Sequence, residues 1–248
     1  MNPCCMVTAR STSSRYPGKC FVEIADGLSA IQIVIRRALM SEMDVVLATG
    51  EQDADDQLAE IGRAEGVKVF RGNVINKVER WIGAARKWDF DPIIVVDGDD
   101  LTFNYDMAKQ VLGQIERGSA DLYKAPADID PGFFTYAFTR AGMEKLYGYC
   151  NDADQDTDVL TRYVDLAGLV QEEVELADDE RGHTVRMTLD YAEDVEFYRQ
   201  LYTAIPWDAP GKEVVEKALE TGIWEVNWAR HADHAANQAS FNDAIENQ

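Results

Sequence analysis

Four short apolar runs alternate with amphipathic stretches through the first hundred residues, and that alternation leaves few folds open. Residues 3–9, 44–48, 67–70 and 92–96 read as strands, the last a β-branched run that stops abruptly at Asp97-Gly98-Asp99-Asp100. Between them, residues 29–40 place Ile31, Val34, Ile35 and Ala38 on one helical face. Residues 53–65 form a polar helix closed by Gly66, and 74–87 a third helix. Short apolar strands joined by helices predict a parallel sheet covered on both faces. Ligands of such sheets bind beyond the carboxyl ends of the strands. Two polar segments, residues 10–19 and 97–100, fall at those ends.

The second half is more mixed. Residues 104–117, 139–147, 157–167, 191–204 and 212–220 have helical character, and 121–124, 133–138, 170–176 and 184–189 read as strands. The sequence holds no internal repeat. One nucleotide-handling domain over residues 1–205 is expected, followed by a C-terminal helical extension over 206–248 that carries a Trp-rich tail.

Charge narrows the partners. Lys and Arg number 24 against 45 Asp and Glu, a formal net charge of -21. Such a surface repels phosphate backbones and anionic membranes, so neither nucleic acid nor membrane is an expected partner. A small polyanion must instead meet a local group of cations, and Arg10, Arg15 and Lys19 lie within ten residues of one another. Their loop, Ala9-Arg10-Ser11-Thr12-Ser13-Ser14-Arg15-Tyr16-Pro17-Gly18-Lys19, follows a strand. It combines small hydroxyl residues with two forked guanidinium donors and one ammonium, a set that suits a triphosphate. It lacks the GxxxxGK[ST] pattern of a P-loop. A polar surface loop would also account for it. Cys4, Cys5, Cys20 and Cys150 have no zinc spacing, and no run approaches the ~18 apolar residues of a membrane helix. With no secretory signal legible, reduced structural thiols in a cytoplasmic protein are expected.

Asp97, Asp99 and Asp100 bring three carboxylates to the end of one strand. Clustered carboxylates repel unless a cation holds them, and magnesium is commonly held by one or two carboxylates together with substrate phosphates. An Asp-Gly turn would give the same residues. Asp190 opens a helix, either as an N-cap with Glu193 completing a capping-box-like arrangement or as a second magnesium ligand meeting Asp99; the two roles are compatible. His231 and His234 read as solvated, Trp207, Trp224 and Trp228 as packing residues, and no Ser-His-Asp arrangement is legible.

Taken in order, these segments resemble the CMP-sugar cytidylyltransferases, which include CMP-Kdo synthetases, acylneuraminate cytidylyltransferases and spore-coat polysaccharide relatives. The resemblance rests on Ala9-Arg10-Ser11 with Ser13-Ser14-Arg15-Tyr16-Pro17-Gly18-Lys19, on Leu47-Ala48-Thr49, on Phe70-Arg71-Gly72 with Glu79-Arg80, on Val96-Asp97-Gly98-Asp99-Asp100, and on Met187-Thr188-Leu189-Asp190 with Glu193-Asp194. It covers residues 3 to 200. It implies an α/β, Rossmann-like fold of the glycosyltransferase-A type, CTP as donor, Mg2+ as cofactor, a small acceptor such as an acidic sugar, and a homodimer. By the same resemblance Lys19, Arg10 and Asp99 would be catalytic. Ala9, Arg10, Ser11, Ser13, Ser14, Arg15, Lys19, Thr49, Arg71, Arg80 and Asp97 would bind the nucleotide, and Asp99 and Asp190 the metal. Two positions depart from the pattern: Leu101 stands where many relatives have Pro, and Asp97 where CMP-Kdo synthetases often have an amide. A phosphonate or other small anionic acceptor, or a non-catalytic nucleotide-binding scaffold, remain alternative readings.

Overall fold

The computed structural model describes residues 1–13, 15–176 and 185–232. Ser14, His183, Thr184 and His234 lie outside the described residues. In chain order the elements are β1 (Cys4–Thr8), a hairpin of β2 (Glu23–Ala25) and β3 (Leu28–Ser29), α1 (Ala30–Leu39), β4 (Asp44–Gly50), α2 (Asp56–Ala64), β5 (Lys68–Gly72), α3 (Lys77–Trp88) and β6 (Ile93–Asp97). There follow α4 (Tyr105–Arg117), β7 (Leu122–Lys124), β8 (Tyr136–Phe138), α5 (Arg140–Tyr149), α6 (Thr161–Leu166), β9 (Gln171–Glu173), α7 (Ala192–Ala204) and α8 (Gly211–Thr221).

Seven strands form one sheet in the order β5-β4-β1-β6-β8-β7-β9. β5, β4, β1 and β6 run parallel, β8 is antiparallel to both β6 and β7, and β9 is parallel to β7. The order reverses at β1: the chain first builds outward through β4 and β5, then crosses back to lay β6 on the other side. Loops leaving β1 and β6 therefore diverge from a crevice at the carboxyl edge, where ligands of open α/β sheets bind.

Side-chain alternation explains why these runs are apolar throughout. Cys5, Val7, Val45, Leu47, Ile94 and Val96 enter one core cluster with α1, α4, α7 and α8. Cys4, Met6, Val46, Ala48, Ile93 and Val95 enter a second with α3 and α5. A strand buried on both faces favours apolar side chains along its length, and the buried polar ones, Thr8 and Thr49, fall at the carboxyl ends of β1 and β4. All four cysteines are free and buried within these layers. Among the described residues no helix is long and apolar enough to cross a membrane.

The structure departs from the sequence expectation in the second half. Residues 185–189, expected as a strand together with Thr184, carry no ladder. They run as a buried connection in which Met187 N–H donates to Pro131 O (3.0 Å) and Leu189 N–H to Asp99 O (3.0 Å). The helix expected from residue 157 starts only at Thr161, because Thr157 is occupied elsewhere: its Oγ1 accepts the N–H of Lys77 (2.8 Å) at the head of α3. The strand expected over 133–138 shortens to Tyr136–Phe138. The hairpin β2–β3 falls where the sequence carries too short an apolar pattern to be read.

Candidate active site

The loop after β1 rises over the crevice and returns through Gly18, whose φ of 73° is a left-handed turn that glycine adopts without steric cost. A single 3-10 turn, Lys19–Phe21, follows and aims Lys19 inward. Lys19 is 9% exposed, and its Nζ donates to Asp99 Oδ2 at 2.6 Å and Asp190 Oδ1 at 2.8 Å. Two aspartate oxygens from segments 91 positions apart therefore face one cation. Asp99 arrives on the turn that ends β6, which lies tight against β1: Gly98 N–H donates to Thr8 O at 2.9 Å. A Cβ on Gly98 would come within 2.7 Å of Ala9 Cβ and 3.0 Å of Thr8 O, so only glycine lets the two strand ends close this way.

Asp190 is not the N-cap of α7. That position is Tyr191, and the box is closed by Asp194 rather than Glu193: Asp194 Oδ2 accepts the N–H groups of Asp190 (2.7 Å) and Tyr191 (2.9 Å). The Asp190 carboxylate is thereby left to receive Arg15 at Oδ1 (2.8 Å) and Arg186 at Oδ2 (3.1 Å) besides Lys19. Burial alone would favour its neutral form, but Lys19, Arg15 and Arg186 outweigh burial and hold Asp190 well below the usual carboxylate range. Burial likewise opposes the charge on Lys19, yet Asp99 and Asp190 raise it above an ordinary lysine. Asp100 goes the other way: burial, then the charges of Asp99 and Asp97, push its carboxyl well up. Asp97 is raised by burial too, with Lys77 opposing. The crevice thus holds carboxylates biased in opposite directions, Asp190 toward its ionised form and Asp97 and Asp100 toward their neutral forms.

The other site residues expected from the sequence flank this centre. Arg10 spans the crevice, donating to Val74 O (2.7 Å) and to Asp158 Oδ1 (2.8 Å). Ser11 N–H donates to the buried Asp55 (2.7 Å). Arg80 is 2% exposed beneath the loop; Nη2 donates to Thr8 Oγ1 (3.2 Å), and burial followed by the neighbouring Arg10 charge lowers its pKa to about 10. Ser11 Oγ, Thr49 Oγ1 and Arg80 Nε are buried without a protein partner. These three atoms lie on elements that border the crevice and could accept or donate to a polar ligand there. Arg71, on β5, is tied to the neighbouring β4–α2 connection through Gly50 O (3.0 Å), Gln52 O (2.7 Å) and Asp56. Ser13 Oγ accepts the N–H of Tyr16 (3.4 Å) within the loop. Ala9 is buried against the β6 turn. Sequence reasoning missed Asp55, Asp158, Arg186 and the role of Asp194, because isolated acidic or basic residues carry no local pattern and acquire partners only in the fold.

Asp99 and Asp190 fit magnesium. Both offer hard oxygen donors, and the space between them already holds a cation, the Lys19 ammonium. Among the described residues there is no group of three or more potential metal-ligating side chains, so the remaining ligands would be phosphate oxygens and water, the usual set for this ion.

Cations and carboxylates gathered at the carboxyl edge of a mostly parallel sheet define a nucleotidyltransferase architecture, and solved structures share it. A cytidylyltransferase of Leptospira borgpetersenii superposes with a TM-score of 0.81 at 22% identity, over 90% of this chain and 96% of that one. A CMP:2-keto-3-deoxy-manno-octonic acid synthetase solved with CTP superposes at 0.62 and 18% identity, over 82% of this chain and 99% of that one. In sequence, a 3-deoxy-manno-octulosonate cytidylyltransferase of Anaeromyxobacter dehalogenans is 31% identical over 150 residues, 57% of this chain and 60% of that relative. The cytidylyltransferase family model matches residues 4–202. The chain belongs to the cytidylyltransferase family.

Proposed function

We propose that the protein transfers CMP from CTP to a hydroxyl of a small acidic sugar and releases pyrophosphate. The observation that carries this reading is the meeting of Lys19, Asp99 and Asp190 at the β1–β6 crevice, with Arg15 on the same carboxylate. In the free protein these cations are held by aspartates. A triphosphate offers them a denser negative charge, and Lys19, Arg15 and Arg10 exchange their carboxylates for its β- and γ-oxygens. The acceptor hydroxyl oxygen attacks the α-phosphorus and gives up its proton to solvent, the bond to the bridging oxygen breaks, and the electron pair leaves with pyrophosphate. Such transfer needs charge neutralisation and in-line positioning more than covalent help from the protein. Asp99 and Asp190 would hold magnesium, which supplies further neutralisation of the phosphates when bound. Ser11 Oγ, Thr49 Oγ1 and Arg80 Nε would meet polar atoms of the nucleoside.

The relatives named for 3-deoxy-manno-octulosonate support an acidic sugar as acceptor. The test is pyrophosphate release with CTP and magnesium across two acceptor panels: acidic sugars, and phosphorylated or phosphonate compounds. Turnover with the first panel and none with the second is expected; the reverse would move the acceptor class. Should CTP with magnesium neither raise the melting temperature nor support release with any acceptor, the catalytic reading fails; a ligand at a hundredfold its Kd stabilises by about 2.7 kcal/mol.

A further inference from the structure

The C-terminal segment reaches the back of this site through one buried amide. After α8 the chain makes two 3-10 turns, Ile223–Val226 and Trp228–Arg230, and between them sits Asn227, fully buried. Its Nδ2 donates to Asp194 Oδ1 at 2.8 Å and to the backbone carbonyl of Arg186 at 3.0 Å. Arg186 and Asp194 are themselves fully buried and paired, with Arg186 Nε on Asp194 Oδ1 and Nη2 on Asp194 Oδ2, both at 3.2 Å. Arg186 Nη2 also holds Asp190 Oδ2, and Asp194 Oδ2 holds the Asp190 backbone. A continuous line of contacts thus runs from Asn227 through Asp194 and Arg186 to both the side chain and the main chain of Asp190.

We propose that Asn227 is a positioning residue: by fixing the Asp194 carboxylate and the Arg186 backbone, it orients Asp190 so that Oδ1 faces Lys19 and the cation site. This rests on the reading of Asp190 as a metal holder given above. An amide serves here because it donates two hydrogen bonds without altering the charge balance of a buried ion pair. An acid would repel Asp194, and an apolar side chain would leave its Oδ1 with Arg186 Nε as the remaining contact described. The segment has a second, separate anchor. Arg230 pairs with Glu193 (2.9 Å) and lies 4.8 Å over the Tyr191 ring. That anchor provides a control for docking alone.

The experiment compares the full-length wild type, Asn227→Ala and Arg230→Ala. Mn2+ binding in the presence of CTP is followed by the EPR signal of free Mn2+, and the metal concentration for half-maximal pyrophosphate release is measured alongside. Loss of a partner bonded directly to a metal ligand typically weakens metal binding 10- to 100-fold, and Asn227 acts one contact further from Asp190, at the low end of that range. Asn227→Ala is expected to weaken Mn2+ binding at least tenfold and raise the half-maximal metal concentration by a similar factor, with the KM for CTP at saturating metal within twofold of wild type. Arg230→Ala is expected to bind Mn2+ as wild type does while melting at a lower temperature. Equal Mn2+ affinity in wild type and Asn227→Ala overturns the proposal, as does an equal loss in both variants. If wild type with CTP binds no Mn2+, the metal reading of Asp190 fails as well, which the other outcomes leave standing. Should Asn227→Ala lose cooperative unfolding, Asn227→Ser, which keeps one donor, replaces it under the same criteria.

Discussion

Lys19 bridges two carboxylates 80 and 171 positions away, and that position makes it the most informative single residue. Lys19→Ala removes the ammonium proposed to neutralise the leaving group, while Asp190 keeps Arg15 and Arg186. Turnover is expected to fall by about 10²- to 10³-fold, the usual loss for one preorganised charge-stabilising group, with a cooperative melt retained. Asp99→Asn should behave alike. Near-normal pyrophosphate release in either variant would remove the mechanism. The aspartates also set an acid–base signature. Asp190 is depressed to about 2, so its ionised form favours the fold above the unfolded pKa of ~3.9, and that contribution disappears as pH falls through the folded value. Asp190→Asn is therefore expected to lose about 2 kcal/mol near pH 7 and progressively less below pH 4. Asp100 has the opposite sign. Its raised folded pKa favours the fold below the unfolded value, and that advantage is lost as pH rises through the folded one. Asp100→Asn should raise the urea midpoint at pH 7, in nucleotide- and metal-free protein, and leave it unchanged near pH 3. A destabilised Asp100→Asn at neutral pH would contradict this assignment of charge states.

At the scale of elements, the site depends on two strand ends that touch. Gly98 sits where the β6 turn crosses β1, and Gly98→Ala places a methyl against Ala9 Cβ and the Thr8 carbonyl, neither of which is the free end of a flexible side chain. The expected cost is about 1–3 kcal/mol in urea unfolding, together with a loss of turnover larger than the stability loss explains, because Ala9 and Asp99 are displaced together. Retained activity in a destabilised Gly98→Ala would separate packing from catalysis. The same scale shows where local pattern reading succeeds. β1, β4 and β6 read correctly because both their faces are buried, so every residue in the run reports the same environment. Residues 185–189 misread because their apolar side chains, Val185, Met187 and Leu189, enter the core without joining the sheet. Apolar–polar alternation is shared by strands and by extended connections such as this wholly buried one, and only the positions of Pro131 and Asp99 beside it decide which results.

At the scale of the molecule, the C-terminal segment is bound into the fold. Val214, Val215 and Ala218 of α8 share the core cluster of β1, and buried Arg37 of α1 donates to the carbonyls of Phe103 (3.0 Å), Trp207 (2.6 Å) and Ala209 (3.0 Å). Ending the chain after Pro210 would expose that apolar face and remove Asn227. A fall in melting temperature of more than about 10 °C is expected, since even a few kcal/mol shifts a domain of this size by roughly that much. An unchanged melt would show that the face contributes nothing. The expectation for Trp224 and Trp228 as packing residues agrees with their edge-to-face contact at 5.8 Å, whereas His231, expected to be solvated, stacks on Trp228 at 4.6 Å.

The amino-acid order by itself determined the strand–helix alternation, the cationic loop after β1 and the carboxylates at the end of β6, because each is a local arrangement whose physics is complete within about ten residues. Tertiary structure decided which groups became partners. That Asp190 turns away from capping its helix, that Arg71 of β5 is held by the connection after β4 while Arg80 is buried below the crevice, and that Asn227 stands behind the site of Lys19, Asp99 and Asp190 all depend on contacts between distant segments. Such contacts form only when burial brings those segments together, and no local spacing encodes them.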